Sequence, residues 1–134
     1  MPTLERAFQR FNSTVLVVDD DEVLRRYMMR VLEAEGYRVL LAEDGNEALA
    51  LLKRYLPRVH LVVTDVLLPR MTGPELAIRV ALQSPPPPVL FVSGGHNLGE
   101  LPGPILWKPF LATELIAVVS SLIPKTSPIG TVVH

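Results

Sequence analysis

The sequence predicts an α/β fold in which helices cover both faces of a parallel β-sheet. Five short apolar segments typical of strands alternate along the chain with amphipathic segments typical of helices, and this alternation indicates βαβ units. The strand segments, such as Val15–Val18 and Leu61–Val63, are continuously apolar, as expected where both faces of a sheet are covered. Hydrophobic residues make up 49% of the 134 residues, which fits such a sheet.

The first half of the chain contains three predicted strands. Residues 3–12 are expected to form a short helix, because Thr3 can cap it and Leu4, Phe8 and Phe11 recur near helical spacing. The next helix is stopped by a glycine and the one after it by a proline. In order, the predicted elements are strand Thr14–Val18, helix Glu22–Glu35, strand Tyr37–Ala42, a helix from Asp44 or Gly45 to Tyr55, and strand Val59–Thr64.

The second half contains the remaining two strands. A third helix is expected to begin at Gly73-Pro74, since proline suits the first helical position, and to run to about Gln83. The proline run that follows is an extended connector. The later predicted elements are strand Val89–Val92, strand Ile105–Trp107 and helix Ala112–Leu122. The sequence thus divides into an N-terminal helical extension over residues 1–13, a folded domain over 14–123 and a flexible tail over 124–134.

Composition excludes several classes of function. The chain has 13 lysines and arginines against 14 acidic residues, so no basic face for nucleic acid is evident. The absence of cysteine excludes disulfides and thiolate catalysis. The N-terminal region is charged, unlike a signal peptide, and no apolar run approaches membrane-spanning length. We therefore expect a cytoplasmic protein that binds neither nucleic acid nor membrane.

Polar signals follow three of the predicted strands. They are Asp19, Asp20 and Asp21 after the first strand, Asp65 after the third, and Lys108 after the fifth. Ligands of open parallel sheets bind beyond the carboxyl ends of the strands, so these side chains should converge. Carboxylates held together repel each other and call for a cation, and oxygen ligands suit Mg²⁺. A metal, a carboxylate and a lysine in one crevice form a site for a phosphoryl group.

Five short motifs in order at the strand ends carry a family resemblance. They are Val17–Asp21, Gly36-Tyr37 with Ala42–Gly45, Thr64–Pro69 through Gly73, Ser93-Gly94, and Lys108–Phe110. With them the chain resembles the receiver domain of two-component response regulators, in particular receivers that accompany hybrid histidine kinases, from about residue 14 to residue 122. The resemblance implies a flavodoxin-like, doubly wound sheet of five parallel strands in the order 2-1-3-4-5.

The resemblance implies a phosphoacceptor and a metal site. Asp65 would take the phosphoryl group as an aspartyl phosphate. Mg²⁺ would be held by Asp65, by Asp20, by the backbone carbonyl of Leu67 and, largely through water, by Asp19. The structural alternatives are a helix-capping role for Asp65 and an acidic cap for the helix near Glu22. Three adjacent acids exceed what a cap needs, so the site interpretation is favoured.

The resemblance also implies two residues that bind the phosphoryl group. The Ser93 hydroxyl would contact a phosphoryl oxygen, although an ordinary Ser-Gly-Gly turn is the alternative. Lys108 would pair with Asp65 at rest and with the phosphoryl group afterwards, although a solvated surface lysine is the alternative. The bond from Lys108 to Pro109 would be cis.

The other prominent residues are expected to be structural. Arg25 and Arg26 should lie on a solvated helix face, and Trp107 should pack in the fold. The three histidines show no metal spacing.

Two departures from the family pattern concern the surface through which receivers usually pass on their signal. Ile105 stands where receivers usually have the aromatic residue that moves inward on phosphorylation. The stretch from Ser93 to Lys108 is about two helical turns shorter than usual, and Asn97–Pro104 is rich in glycine and proline. The fourth helix of the family should therefore be shortened or absent. Because that region helps to form the dimerising face of many response regulators, we expect a monomer.

The sequence thus predicts a stand-alone or excised receiver. Asp65 would be phosphorylated from a sensor histidine kinase or a histidine phosphotransfer protein. The domain would catalyse only its own phosphorylation and dephosphorylation, and output would be by protein contact or by passing the group on. One alternative is a degenerate receiver that docks proteins independently of phosphorylation. The other is an aspartyl-phosphate phosphatase, which needs a carboxylate two residues after the nucleophile, where Leu67 stands.

Overall fold

The computed structural model describes residues 13–55, 58–95 and 99–123, which contain five strands and four helices. The elements are β1 (Thr14–Val18), α1 (Glu22–Ala34), β2 (Arg38–Ala42), α2 (Gly45–Tyr55), β3 (Val59–Asp65), α3 (Gly73–Val80), β4 (Val89–Ser93), β5 (Ile105–Trp107) and α4 (Ala112–Leu122). Strands and helices alternate as far as β4, and β5 follows β4 directly. The predicted helix over residues 3–12 and the tail from Pro124 lie outside the described residues.

All strands are parallel and form one sheet in the order β2-β1-β3-β4-β5. Alternate residues of the central strands face opposite sides, so that Val17 contributes to one core and Leu16 to the other. Helices α1 and α4 cover the first side through residues such as Leu32 and Leu115. Helices α2 and α3 cover the second side. The predicted flavodoxin-like, doubly wound class is confirmed.

Most predicted boundaries agree with the structure to within one residue. The exception is α3, which ends at Val80 rather than near Gln83. The backbone N–H groups of Leu82 and Gln83 donate to the carbonyls of Arg79 and Val80, at 3.2 and 3.0 Å. These bonds tighten the chain into a turn, which ends the helix ahead of the proline run.

The connection between β4 and β5 contains no helix in its described residues, 94–95 and 99–104. Leu101 and Ile105 instead pack against Phe91, which with Val66 and Ala77 forms a third, smaller core. This agrees with the expected shortening or loss of the fourth helix of the family.

Side-chain caps fix the helix starts near the carboxyl edge of the sheet. Asp21 accepts from the backbone N–H groups of Val23 and Leu24, as expected for an acidic cap of α1. Thr72 and Glu75 form a reciprocal capping box at the start of α3, which the sequence analysis did not identify. No helix in the described part of the chain is long and apolar enough to cross a membrane.

Candidate functional site

The strand ends bring the sequence-predicted side chains to one edge of the sheet. Asp19 and Asp20 follow β1, Asp65 is the last residue of β3, Ser93 is the last residue of β4, and Lys108 follows β5. Because all five strands are parallel, these positions share the same end of the sheet.

Three carboxylates form a cluster at this edge. Asp19, Asp20 and Asp65 each offer an oxygen, and these oxygens lie within 4.8 Å of one another. Asp19 is fully buried and Asp65 is 8% exposed, whereas Asp20 is exposed. Oxygen ligands at such spacing are of the type that a hard divalent cation prefers.

Asp19 is a buried carboxyl group whose two oxygens differ in their contacts. Its Oδ1 accepts from the backbone N–H of Asp21 at 2.9 Å, while its Oδ2 is buried without a hydrogen-bond partner among the described residues. Burial raises the pKa of Asp19 to about 6, with the N–H of Asp21 opposing that rise and the charge of Asp65 adding to it. The unpartnered oxygen beside two further carboxylates fits a bound divalent cation, which would supply the missing interaction.

Asp65 is held between a lysine and a backbone amide. Its Oδ2 accepts from Nζ of Lys108 at 3.2 Å, and its Oδ1 accepts from the N–H of Leu67 at 3.3 Å. The Lys108–Pro109 peptide is cis, as the resemblance implied. The backbone N–H of Lys108 donates to the carbonyl of Ser93 at 2.8 Å, so β4 and β5 together position the lysine.

Ser93, the last residue of β4, is almost fully buried. Its Oγ accepts from the N–H of Gly95 at 3.2 Å. With that bond on the oxygen, the hydroxyl hydrogen can be donated to another acceptor. Leu67 lies in the loop after β3 with 41% of its surface exposed.

Arg25 corrects one sequence-based expectation. Its side chain is buried rather than solvated, and its Nη1 donates to the carbonyl of Asp19 at 2.8 Å. Its position three residues before Met28 and seven before Leu32, both buried in the core, is the signal that places it on the inner face of α1. Arg26 is exposed as expected and pairs with Glu22 at 3.1 Å.

Trp107 corrects a second expectation. It is 56% exposed instead of packed in the fold. It ends the short edge strand β5, in which Leu106 takes the inward position. Period-two alternation therefore turns Trp107 outward, next to Lys108.

A doubly wound parallel sheet with an acidic cluster and a lysine at its carboxyl edge defines a receiver-type signalling domain. The chain belongs to the response regulator receiver domain family, whose model matches residues 15–101. Receiver domains of this family act in two-component signal transduction and accept phosphoryl groups from histidine kinases.

Individual relatives agree with this assignment. The chain is similar to the response regulator MprA of Mycobacterium sp. strain KMS, with 36% identity over 121 residues that cover 85% of this chain and 52% of the relative. It therefore spans about half the length of the curated relatives it matches.

Among solved structures, the chain is similar to the chemotaxis protein CheY4 of Vibrio cholerae, with 30% identity and a TM-score of 0.74. That match covers 83% of this chain and 98% of the other. The receiver domain of the hybrid histidine kinase CckA is 32% identical with a TM-score of 0.72, and the match covers 84% of this chain and all of that domain, 100%.

Proposed function

We propose that this chain is a phosphoacceptor and that Asp65 takes a phosphoryl group from a phosphohistidine. The donor would be a sensor histidine kinase or a histidine phosphotransfer protein. The observation that carries the proposal is the Asp65 carboxylate itself, which accepts from Lys108 and belongs to a carboxylate cluster in which Oδ2 of Asp19 is buried without a partner among the described residues.

The chemistry begins with a nucleophilic carboxylate. An oxygen of Asp65 attacks phosphorus, the P–N bond to the donor histidine breaks, and the electron pair of that bond leaves with the imidazole. The product is an acyl phosphate on Asp65. The low exposure of Asp65 limits access of water to the reacting atoms.

Two residues would bind the transferred group. Lys108 exchanges its contact with Asp65 for one with the new phosphoryl oxygens, for which an ammonium group is suited as a compact point charge. Ser93 donates its hydroxyl hydrogen to a phosphoryl oxygen. Both residues start this exchange from defined contacts. Nζ of Lys108 lies 3.2 Å from Oδ2 of Asp65, and Oγ of Ser93 lies 3.2 Å from the backbone nitrogen of Gly95.

The metal site would consist of Asp19, Asp20, Asp65 and the carbonyl of Leu67. When bound, Mg²⁺ neutralises charge on the phosphoryl oxygens and orients donor and acceptor. Asp19 stays buried and anchored by the N–H of Asp21, whereas Asp20 is exposed and free to turn toward the ion.

Exposed apolar side chains near the site support protein docking as the route of transfer. Val23 at the start of α1, Leu67 after β3 and Leu111 after β5 are 80%, 41% and 67% exposed. The rings of Tyr27 and Phe110 lie 6.4 Å apart and join α1 to the loop after β5. We propose that the phosphodonor contacts this surface. A phosphorylation-independent docking module is not favoured, because the acid cluster, Ser93 and Lys108 are all in place.

Intact mass spectrometry after incubation with acetyl phosphate and Mg²⁺ tests the proposal. The wild type should gain one phosphoryl group and Asp65→Asn none, while Asp44→Asn, which changes an aspartate of the β2–α2 loop, should still be labelled. Chelation of Mg²⁺ should abolish labelling. Labelling that persists in Asp65→Asn would contradict the assignment of the acceptor.

Trp107 fluorescence can follow metal binding in the same proteins, because the exposed indole adjoins Lys108. The change in Trp107 fluorescence on addition of Mg²⁺ should be abolished in Asp20→Asn. In Asp19→Asn the affinity for Mg²⁺ should be weakened less. Equal Mg²⁺ affinity in the wild type and both variants would reject the cluster as the metal site.

A further inference from the structure

An apolar groove of about 670 Å³ lies at the opposite edge of the sheet from the candidate site. One wall is the second half of α3, with Ala77 and Ile78, and the turn at Ala81. The other walls are the chain segments leading into β4 and β5, and Leu122 at the end of α4 closes one side. None of the described residues that line the groove is charged.

The groove is open because no helix among the described residues covers it. α3 ends at Val80, and the described residues of the β4–β5 connection form no helix. Ile78 is consequently 64% exposed and Leu82, just beyond the helix, is 79% exposed. Large apolar side chains left open beside an apolar groove mark an interaction surface.

We propose that the N-terminal segment, residues 3–12, forms a helix that occupies this groove. Its apolar residues Leu4, Phe8 and Phe11 stand at positions i, i+4 and i+7, which is the anchor spacing of an amphipathic helix in a hydrophobic groove. Arg6, Gln9 and Arg10 fall on the opposite helical face, where they would meet solvent. The sequence thus supplies an apolar helical face, and the described residues leave the apolar groove open.

The topology places the segment within reach of the groove. Strand β1 begins at Thr14, and parallel strands begin at one edge of the sheet. The groove lies at that edge, since it is lined by Val89 at the start of β4 and Pro104 just before β5. Only β3 and β4 separate β1 from β5, a lateral distance of about 14 Å at the usual strand spacing. A helix over residues 3–12 is about 15 Å long.

Two other occupants are less well matched. The C-terminal tail starts beside Leu122, but its residues include Pro124, Pro128 and Gly130 and offer no helical run of large apolar side chains. A second copy of the chain would have to cover the same groove while carrying its own N-terminal segment. Each alternative predicts a different experimental outcome.

Cysteine accessibility tests the proposal in the full chain, which contains no natural cysteine. Ala81→Cys places a thiol in the groove, and Ala50→Cys places one on the exposed surface of α2 as a control. Both alanines are exposed within the described residues. If residues 3–12 cover the groove, a bulky maleimide should react with the groove thiol at least about tenfold more slowly than with the control thiol.

Matched substitutions then identify the occupant. Phe8→Asp in the Ala81→Cys protein should restore fast alkylation, because a charge cannot enter the apolar groove, whereas the neighbouring Gln9→Asp should leave the thiol protected. Retention of the Mg²⁺ response of Trp107 verifies that each variant is folded. Equal alkylation of both thiols, or protection that survives Phe8→Asp, overturns the proposal. Protection that rises with protein concentration would indicate that a second copy covers the groove. Protection that is lost in Val132→Asp would indicate that the C-terminal tail covers it. Either outcome also overturns the proposal.

Discussion

At the residue scale, Asp19 is a buried carboxyl group whose ionisation opposes stability. The side chain is fully buried, one of its oxygens has no partner among the described residues, and its pKa is raised to about 6. A raised carboxyl pKa means that the folded state binds the proton more tightly than the unfolded state. Ionisation of Asp19 therefore destabilises the folded state. This destabilisation is absent well below pH 4, grows as the pH rises from 3.8 to about 6, and persists at higher pH.

Asp19→Asn should accordingly raise the stability of the metal-free protein at pH 7. The amide keeps an oxygen for the N–H of Asp21 and directs its NH₂ group toward Asp65. The gain in the free energy of unfolding should be up to about 3 kcal/mol, at about 1.4 kcal/mol per pKa unit. Urea unfolding at pH 7 and pH 4 without divalent ions measures it, and the gain should shrink at pH 4. A variant less stable than the wild type at pH 7 would contradict the inference that ionised Asp19 destabilises the folded state.

Residues of the site differ in how well the sequence predicts them. The positions of Asp19, Asp65 and Lys108 follow from strand ends, because parallel topology alone makes those positions converge. The chemical roles of these residues remain predictions. Arg25 and Trp107 were misplaced because burial depends on which face of an element meets the core, and a polar or aromatic side chain can override its usual preference.

At the scale of the element, the start of α3 lies directly against the end of β3, which carries Asp65. The N–H of Gly73 donates to the carbonyl of Val66 at 2.8 Å. A Cβ on Gly73 would collide with the backbone carbonyl oxygen of Asp65 and lie 3.0 Å from Cα of Val66. The glycine therefore permits a backbone approach that no side chain would allow, and it fixes the strand end that presents Asp65.

Gly73→Ala should destabilise the fold by about 1–3 kcal/mol, the usual cost of forcing a methyl group into a packed site. Gly45→Ala is the matched control, since Gly45 likewise begins a helix but its added Cβ meets the flexible side chain of Met71 at 2.6 Å. That side chain can move, so the control should cost less. Urea unfolding compares the two, and the labelling of Asp65 by acetyl phosphate should slow only in Gly73→Ala. Equal effects of both substitutions would disprove the role of the close approach.

The loop between β3 and α3 was not predictable in this detail. Arg70 adopts a positive φ of 67°, a conformation that usually favours glycine, and its guanidinium pairs with Asp44 in the β2–α2 loop. The N–H of Glu47 and this arginine hold the pKa of Asp44 below its ordinary value. Sequence patterns predict where a strand ends and a helix begins. They do not predict a contact between two loops that lie far apart in the sequence, because that contact depends on the finished packing.

At the scale of the whole molecule, the sheet order and both helical layers were predictable, whereas the route from the site to a partner was not. Strand and helix periodicity determined the layers, and the resemblance supplied the strand order. The absence of a helix from the described residues between β4 and β5 was also expected, from the glycine and proline content of this connection. Which surface responds to phosphorylation depends instead on coupled movements. Ser93 and Lys108 can follow the phosphoryl group, but Ile105 offers no ring that could transmit their movement to the outer face of β5.

We therefore expect the protein to stay monomeric in both phosphorylation states, with partner contacts near the site through α1 and the adjacent loops. The described residues that follow β4 form no helix on the usual dimerising face, and β5 is a three-residue edge strand. Sedimentation of the wild type with Mg²⁺, with and without a beryllofluoride mimic of the phosphoryl group, measures the oligomeric state. Asp65→Asn with the same reagents controls for effects that do not arise at the acceptor. Dimerisation that requires the mimic and is lost on substitution of Glu114 or Val118, both on α4, would show that the outer face still carries the output.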